Sequence, residues 1–240
     1  MKRLLFFMAL GIAMNTNAQN SEHLSGFGMT SLTYKFNKNW FAYGELQARS
    51  YDEFSRPDYY EIKGGVGYNI TPDHQPFIGM GRYATYKNNA ISKEEFRIWL
   101  QYQYNNYIGR LKLEHRGRVE QQFFHFSQTG LNTTANRFRY RLNAILPINN
   151  EKIKPKTFFV NAFDEVFFGT DSPAFVRNRL YGGMGYQFDK SVGMVTGYLL
   201  QREFSNSGNK NVHFLFVGVN FTIDRSTTEK PRSIPTPVID

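Results

Sequence analysis

A chain of 240 residues with 29 lysines and arginines against 20 aspartates and glutamates has a formal charge of +9, no cysteine, and aromatic rings at 17% of its positions. The missing cysteine excludes disulfides, thiolate metal sites and thiol nucleophiles together. The positive balance invites a nucleic-acid reading, but the arginines alternate with apolar residues and form no basic surface run, which argues against that partner.

Residues 1–18 have a basic start at Lys2 and Arg3, an apolar run from Leu4 to Met14, and small residues at Thr16 and Ala18. This pattern predicts a secretory signal cleaved near Ala18, because the apolar run falls short of the roughly twenty residues that a spanning helix needs. A short N-terminal segment, 19–24, then precedes one domain over 25–223. The last stretch, 224–240, contains Pro231, Pro235 and Pro237 and reads as a flexible tail.

Between these ends the hydrophobic period is two. Strands are expected at 25–36, 40–50, 59–70, 76–87, 94–104, 107–122, 136–147, 157–168, 175–187, 192–203 and 211–222. Each is near the length needed to cross a bilayer at a tilt. Connections at 37–39, 71–75, 105–106 and 189–190 read as tight, and those at 51–58, 88–93, 123–135 and 204–210 as longer. Short turns on one rim and long loops on the other are the pattern of an outer-membrane barrel. The fold expected is therefore all-β: a transmembrane, antiparallel, up-and-down barrel of ten to twelve strands with a charged lumen. The segments number eleven, whereas bacterial single-chain barrels have even strand numbers, so the expectation is ten or twelve. The same alternation puts the start of the first strand on the loop rim, from which Gln19 to Leu24 would thread the lumen.

The clearest segment is Ile108 to Gln122. Its even positions, Arg110, Lys112, Glu114, Arg116, Arg118, Glu120 and Gln122, are polar or charged, and its odd positions include Leu111, Leu113, Gly117 and Val119. The same parity elsewhere assigns to the lumen Glu45, Gln47, Arg49, Glu61, Lys63, Glu95, Arg97, Gln101, Arg137, Arg139, Arg141, Asn161, Glu165, Arg177 and Arg179. Outward parity collects Phe96, Ile98, Leu100, Phe138, Tyr140, Leu142, Leu215, Val217 and Phe221. Strands 76–87, 157–168 and 192–203 alternate less cleanly, and Asp164 falls on a face otherwise apolar. Glycines at 64, 65, 67, 79, 81, 182, 183 and 185 suit strands that curve sharply or pass close to bulky neighbours. A phosphate-cradling loop would need a following helix, and no helical pattern follows them.

Several stretches together resemble one family: W-F-A-Y-G-E-L-Q-A-R at 40–49, E-F-R-I-W-L-Q-Y at 95–102, L-E-H-R-G-R-V-E-Q at 113–121, N-R-F-R-Y-R-L at 136–142, F-D-E-V-F at 163–167 and F-V-R-N-R-L-Y-G-G-M-G-Y at 175–186. The chain is similar over nearly its whole mature length to the outer-membrane barrels catalogued as domain of unknown function 2490. The resemblance implies the barrel and implies no substrate.

Buried charges need partners, so the arginine excess predicts lumenal ion pairs to Glu45, Glu61, Glu95, Glu114, Glu120 and Glu165 that fix strand register in a closed, structural barrel. The alternative is a narrow, porin-like pore whose positive lining favours anionic solutes. A third reading is a lipid hydrolase: His125-Phe126-Ser127, with Asn136 further on, matches the His-x-Ser pair of outer-membrane phospholipase A and the lipid A deacylases. His125 would be the general base, Ser127 the nucleophile and Asn136 the orienting group. The phospholipase pattern continues Ser-Asn-Gly-Arg, whereas this chain continues Gln128-Thr129-Gly130 after Ser127. His23, His74, His115, His125 and His213 are dispersed, so no metal and no cofactor is expected. Glu94-Glu95 and Glu114/Glu120 define no cleft for sugar hydrolysis. A secreted β-sandwich, with the aromatic faces buried between two sheets, is the rival architecture. The expected partners are the lipids of a Gram-negative outer membrane and, during biogenesis, the barrel-assembly machinery. Composition does not fix an oligomeric state.

Overall fold

The computed structural model describes residues 24–50, 57–88, 90–170 and 173–226. The predicted signal at 1–18, residues 19–23 of the N-terminal segment, and 227–240 of the tail lie outside them. Eleven strands follow one another: β1 (Leu24–Lys35), β2 (Trp40–Arg49), β3 (Tyr59–Tyr68), β4 (His74–Lys87), β5 (Ala90–Ile108), β6 (Leu111–Phe126), β7 (Leu131–Pro147), β8 (Thr157–Gly169), β9 (Phe175–Gln187), β10 (Val192–Glu203) and β11 (Lys210–Asp224). Each pairs with its neighbours in sequence, and β1 pairs with β11 to close the barrel. A β-sandwich is thereby replaced by one closed sheet with no free edge.

The strand count corrects the expectation of an even number. Up-and-down strands alternate in direction, so the first and last of an odd set run the same way. Closure therefore requires a parallel ladder, from Leu24↔His213 to Lys35↔Asp224, among ten antiparallel ones. Parallel pairing is slightly weaker per residue, and side chains reinforce this seam. Ser31 donates to Asn220 at 2.7 Å, Lys35 pairs with Asp224 at 3.1 Å, and the Phe27 ring meets Phe214 and Phe216 edge-on at 5.7 and 4.9 Å.

Register fixes the tilt. A row of paired residues leaves β6 at Phe126, passes Lys93, Thr85, Tyr59, Arg49 and Phe27, crosses the seam to Phe216, and returns to β6 at Lys112, fourteen residues away. A stagger of that size over eleven strands inclines them by about 45° to the barrel axis.

Connection lengths also depart from expectation. On the N-terminal rim, where β1 begins, the predicted loops at 88–93 and 123–135 are largely strand: β4 and β5 are joined by 88–89 alone, and β6 and β7 by 127–130. On the opposite, C-terminal rim, 148–156 is the long connection. The tight turn expected at 105–106 lies instead at Gly109-Arg110, because Asn105 is drawn into the lumen, its side chain accepting from Gln103 at 3.2 Å. Gly109, with φ of +60°, supplies the left-handed step that a two-residue hairpin requires.

The interior is not uniformly charged. Inward positions of β1 and β8–β11 carry an aromatic and aliphatic cluster that includes Phe27, Met29, Phe159, Phe163, Tyr181, Val195, Leu199, Phe214 and Phe216. This explains the less regular alternation of 157–168 and 192–203: inward Phe159, Phe163, Val195 and Leu199 place apolar residues on both faces of those strands. Asp164 does point outward, bonded to Asn178 at 2.5 Å. Inward glycines make room for the rings of adjacent strands. A Cβ on Gly185 would enter the Phe159 ring, and one on Gly67 would enter Phe41.

Gly185→Val is expected to destabilise the barrel by about 1–3 kcal/mol or to block folding, through overpacking against Phe159. Gly182→Ala, where an added Cβ meets nothing within 4 Å, is expected to be neutral. Denaturant unfolding of the two variants in detergent micelles, followed by tryptophan fluorescence, checks the contrast.

Candidate functional site

The charged half of the lumen is built by the period-two alternation of β2, β3 and β5–β9. Among the described residues, the buried carboxylates are Glu45, Glu61, Glu95, Glu114, Glu120 and Glu165. The buried cations are Arg49, Lys63, Arg97, Lys112, Arg116, Arg118, Arg137, Arg139, Arg141 and Arg179, so cations exceed anions by four. Register brings like charges together: Arg116 stands opposite Arg141, and Arg118 opposite Arg139. Such pairs repel across a ladder, and two carboxylates offset them. Glu120 accepts from Arg137 Nε and Arg139 Nη1, each at 2.8 Å, with Arg118 at 3.5 Å and Arg97 at 3.8 Å. Glu165 accepts from Arg116 at 2.6 Å and from Arg139 at 2.9 and 3.0 Å. Arg139 therefore bridges the two carboxylates.

Smaller groups flank this centre. Lys63 lies 2.7 Å from Glu45 and 2.6 Å from Glu61, which also holds Arg49 at 3.1 Å and the Tyr59 hydroxyl at 2.8 Å. Glu95 takes Arg97 Nε and Gln122, each at 2.7 Å. Towards the C-terminal rim, Glu114 accepts from Lys112 at 2.7 Å and Asn143 at 2.9 Å.

Aromatic rings serve the arginines that outnumber the carboxylates. Phe167, fully buried, has the guanidinium carbons of Arg139, Arg137, Arg179 and Arg177 at 4.6, 5.1, 5.2 and 5.4 Å from its centroid. Arg97 sits 4.0 Å over Tyr83, Arg49 4.2 Å over Phe27, and Arg118 4.9 Å over Trp99. The quadrupole of each ring attracts the cation, and the effect strengthens away from water. These rings, and the bridging amides Asn143 and Gln201, are absent from the parity assignment. The signal for them is the break in alternation at Phe167, Tyr83 and Phe159, where an apolar residue takes an inward position.

Solvent access fades from both rims. From the C-terminal rim, side-chain exposure falls from 11% at Lys112 to 1% at Arg116. From the N-terminal rim it falls from 25% at Arg177 through 9% at Arg137 to zero at Glu120 and Glu165. Among the described residues, the middle of the lumen is a buried, cross-linked layer of arginines and carboxylates.

Two groups of candidates sit elsewhere. Arg110 lies in the β5–β6 turn and is exposed, donating to the Pro147 carbonyl at 2.7 Å, and so is not part of the buried network. Its even parity ends at the hairpin. His125, at the end of β6, bonds through Nδ1 to Asn132 at 2.9 Å. Asn136 faces Gln121, four positions along β7 from Asn132 and so about 13 Å away at strand rise. Ser127 lies in the turn, its amide donating to the Ser92 carbonyl at 3.1 Å. The three residues are not assembled into a triad: strand β6 runs on to Phe126, which separates them along the ladder. No group of three His, Cys, Asp or Glu suited to a metal ion occurs among the described residues.

A family model described as a protein of unknown function, DUF2490, matches residues 25–212, which covers β1 through the start of β11. No curated protein matches the chain.

Glu120→Gln is expected to lower stability by about 3–5 kcal/mol, because it leaves buried guanidiniums without their anion. Adding Arg137→Gln to that variant is expected to restore part of the loss. Urea midpoints of the single and double variants in micelles give the coupling energy.

Proposed function

The chain belongs to the DUF2490 family, and on that footing we propose that it is an outer-membrane β-barrel whose lumen is closed by its own ion pairs. One observation carries this reading: the distribution of polarity is inverted relative to a soluble protein. Glu120 and Glu165 have no exposure, while outward Ile62, Ile78 and Leu100 are 60%, 61% and 64% exposed. In water such a molecule would bury charge and expose aliphatic surface, two unfavourable choices at once. In a bilayer the apolar band meets lipid, the charges stay paired in the lumen away from it, and the closed sheet leaves no free strand edge.

The C-terminal rim supports the same reading. Rings cluster there in outward contacts: Tyr34 with Phe36 at 4.9 Å, Trp40 with Tyr68 at 4.9 Å, His74 with Tyr104 at 4.8 Å, and Phe158 with Tyr186 at 4.4 Å. Amphipathic rings at one level form the girdle expected where acyl chains give way to headgroups. An N-terminal signal cleaved near Ala18 would deliver the chain to that membrane.

A second reading, a narrow anion-preferring channel, is favoured by the excess of four buried cations. It would require the layer at Glu120 and Glu165 to open. The closed reading is preferred because Arg139 ties both carboxylates to one side chain. The hydrolase reading is set aside, since His125 is bonded to Asn132 and Asn136 stands four positions further along β7.

The mature protein, folded in detergent micelles, is expected to be soluble only with detergent and to show no current steps in a planar bilayer. A monodisperse folded protein in detergent-free buffer would sink the membrane reading. Regular steps that favour anions, shifted towards cations by Arg139→Glu, would replace the closed barrel with the channel. Phospholipid hydrolysis is expected to be absent from both the parent protein and Ser127→Ala, measured as fatty-acid release from mixed micelles. Release that disappears with Ser127→Ala would restore the hydrolase.

A further inference from the structure

Arg179 differs from the other buried arginines around Phe167. Arg137 and Arg139 reach Glu120, and Arg177 holds Glu203 at 2.8 Å. Arg179 is 4% exposed, and among the described residues its one hydrogen bond is from Nε to Gln201 Oε1 at 2.7 Å. No carboxylate among the described residues lies within ion-pair distance of it. Burial strips its water and Arg49 and Arg177 repel it, while Glu165, opposite it on β8, attracts it without entering an ion pair with it. A buried guanidinium in that position is costly unless an anion accompanies it.

The surroundings make the defect a site. Gln201, itself 1% exposed, is fixed at both ends of its amide, its Oε1 taken by Arg179 and its Nε2 donating to Glu203 at 2.5 Å. This contact pins the Nε edge of Arg179 and leaves the terminal nitrogens as a preset fork. Access comes from the N-terminal rim, where Arg177 and Glu203 are 25% and 31% exposed, and it ends at the dry floor of Arg139 and Glu165.

We propose that the N-terminal half of the lumen is a binding site for a small free oxyanion, held by the Arg179 fork beside Arg177 and Arg49. A planar fork matches two oxygens of a phosphate, sulfate or carboxylate through two parallel bonds, whereas a halide offers one spherical acceptor to both donors at poorer geometry, so the site selects oxyanions over chloride. The site needs only the folded barrel, and it stands whether or not the middle layer conducts.

The test uses the full mature chain folded in non-ionic detergent, with sodium sulfate, inorganic phosphate or sodium chloride at matched ionic strength. Sulfate and phosphate are expected to raise the melting temperature above that in chloride, and calorimetric titration with phosphate to fit one site. Arg179→Gln is expected to melt higher than the parent in chloride, because it removes an uncompensated charge. It should also bind phosphate at least about tenfold more weakly, the loss that follows removal of a charged hydrogen-bonding partner. Arg179→Lys keeps the charge without the fork and is expected to bind with intermediate affinity. Lys152→Gln, exposed in the 148–156 connection on the opposite rim, should leave the phosphate response unchanged. Equal responses to phosphate in the parent and Arg179→Gln would overturn the site. So would an Arg179→Gln protein that melts lower than the parent in chloride, since that outcome makes Arg179 a structural tie. Lack of current steps in a bilayer bears on the closed barrel and not on this site.

Discussion

Two carboxylates in a dry layer, Glu120 and Glu165, set the terms for the rest of the molecule. Each must stay beside arginines that arrive from neighbouring strands, and Arg139 must reach both. The demand is strict because an unpaired charge in that layer has no water to turn to. A slip of one residue between β6 and β7 would send the whole arginine series to the outer face. The ion pairs therefore act on register before they act on stability. A buried pair contributes little net energy over an apolar alternative, whereas losing one member is severe.

The aromatic half of the lumen solves a different problem. Ten antiparallel ladders and one parallel seam leave β1 and β11 joined by the weaker kind of pairing. The seam lies next to the apolar cluster, and Phe27 lodges against Phe214 and Phe216 across it. Packing thus supports the join that hydrogen bonding supports least. Glycines on neighbouring strands let the rings lie flat, as Gly185 does for Phe159. Charge and packing meet at Phe167, whose ring accepts four guanidiniums and so lets arginines outnumber carboxylates.

Much of this was legible from alternation. Glu45, Arg49, Glu61, Arg97, Glu114, Arg116, Arg118, Glu120, Arg137, Arg139, Arg141, Glu165 and Arg179 were assigned inward by parity, and all are buried. Parity failed where it was carried past a strand end: Arg110 belongs to the hairpin. The boundaries at 88–93 and 123–135 differ too, because β5 starts at Ala90, β6 runs on to Phe126 and β7 starts at Leu131. The His-x-Ser tripeptide was visible too, yet the separation of Asn136 from His125 depends on β6 and β7 pairing as far as Phe126↔Leu131.

The sequence by itself determined the alternation, hence the strands, the two-faced sheet and the list of charges on one face. These are local properties, set by a side-chain period of two that needs no knowledge of distant residues. Only the tertiary structure decided the strand number, the parallel closure, the fourteen-residue stagger and the partner of each arginine. Those depend on how far each strand slides against the next, a quantity accumulated around the whole barrel. That sum places Glu165 beside Arg116, 49 residues away in sequence, and leaves Arg179 bonded to Gln201 and in no ion pair among the described residues.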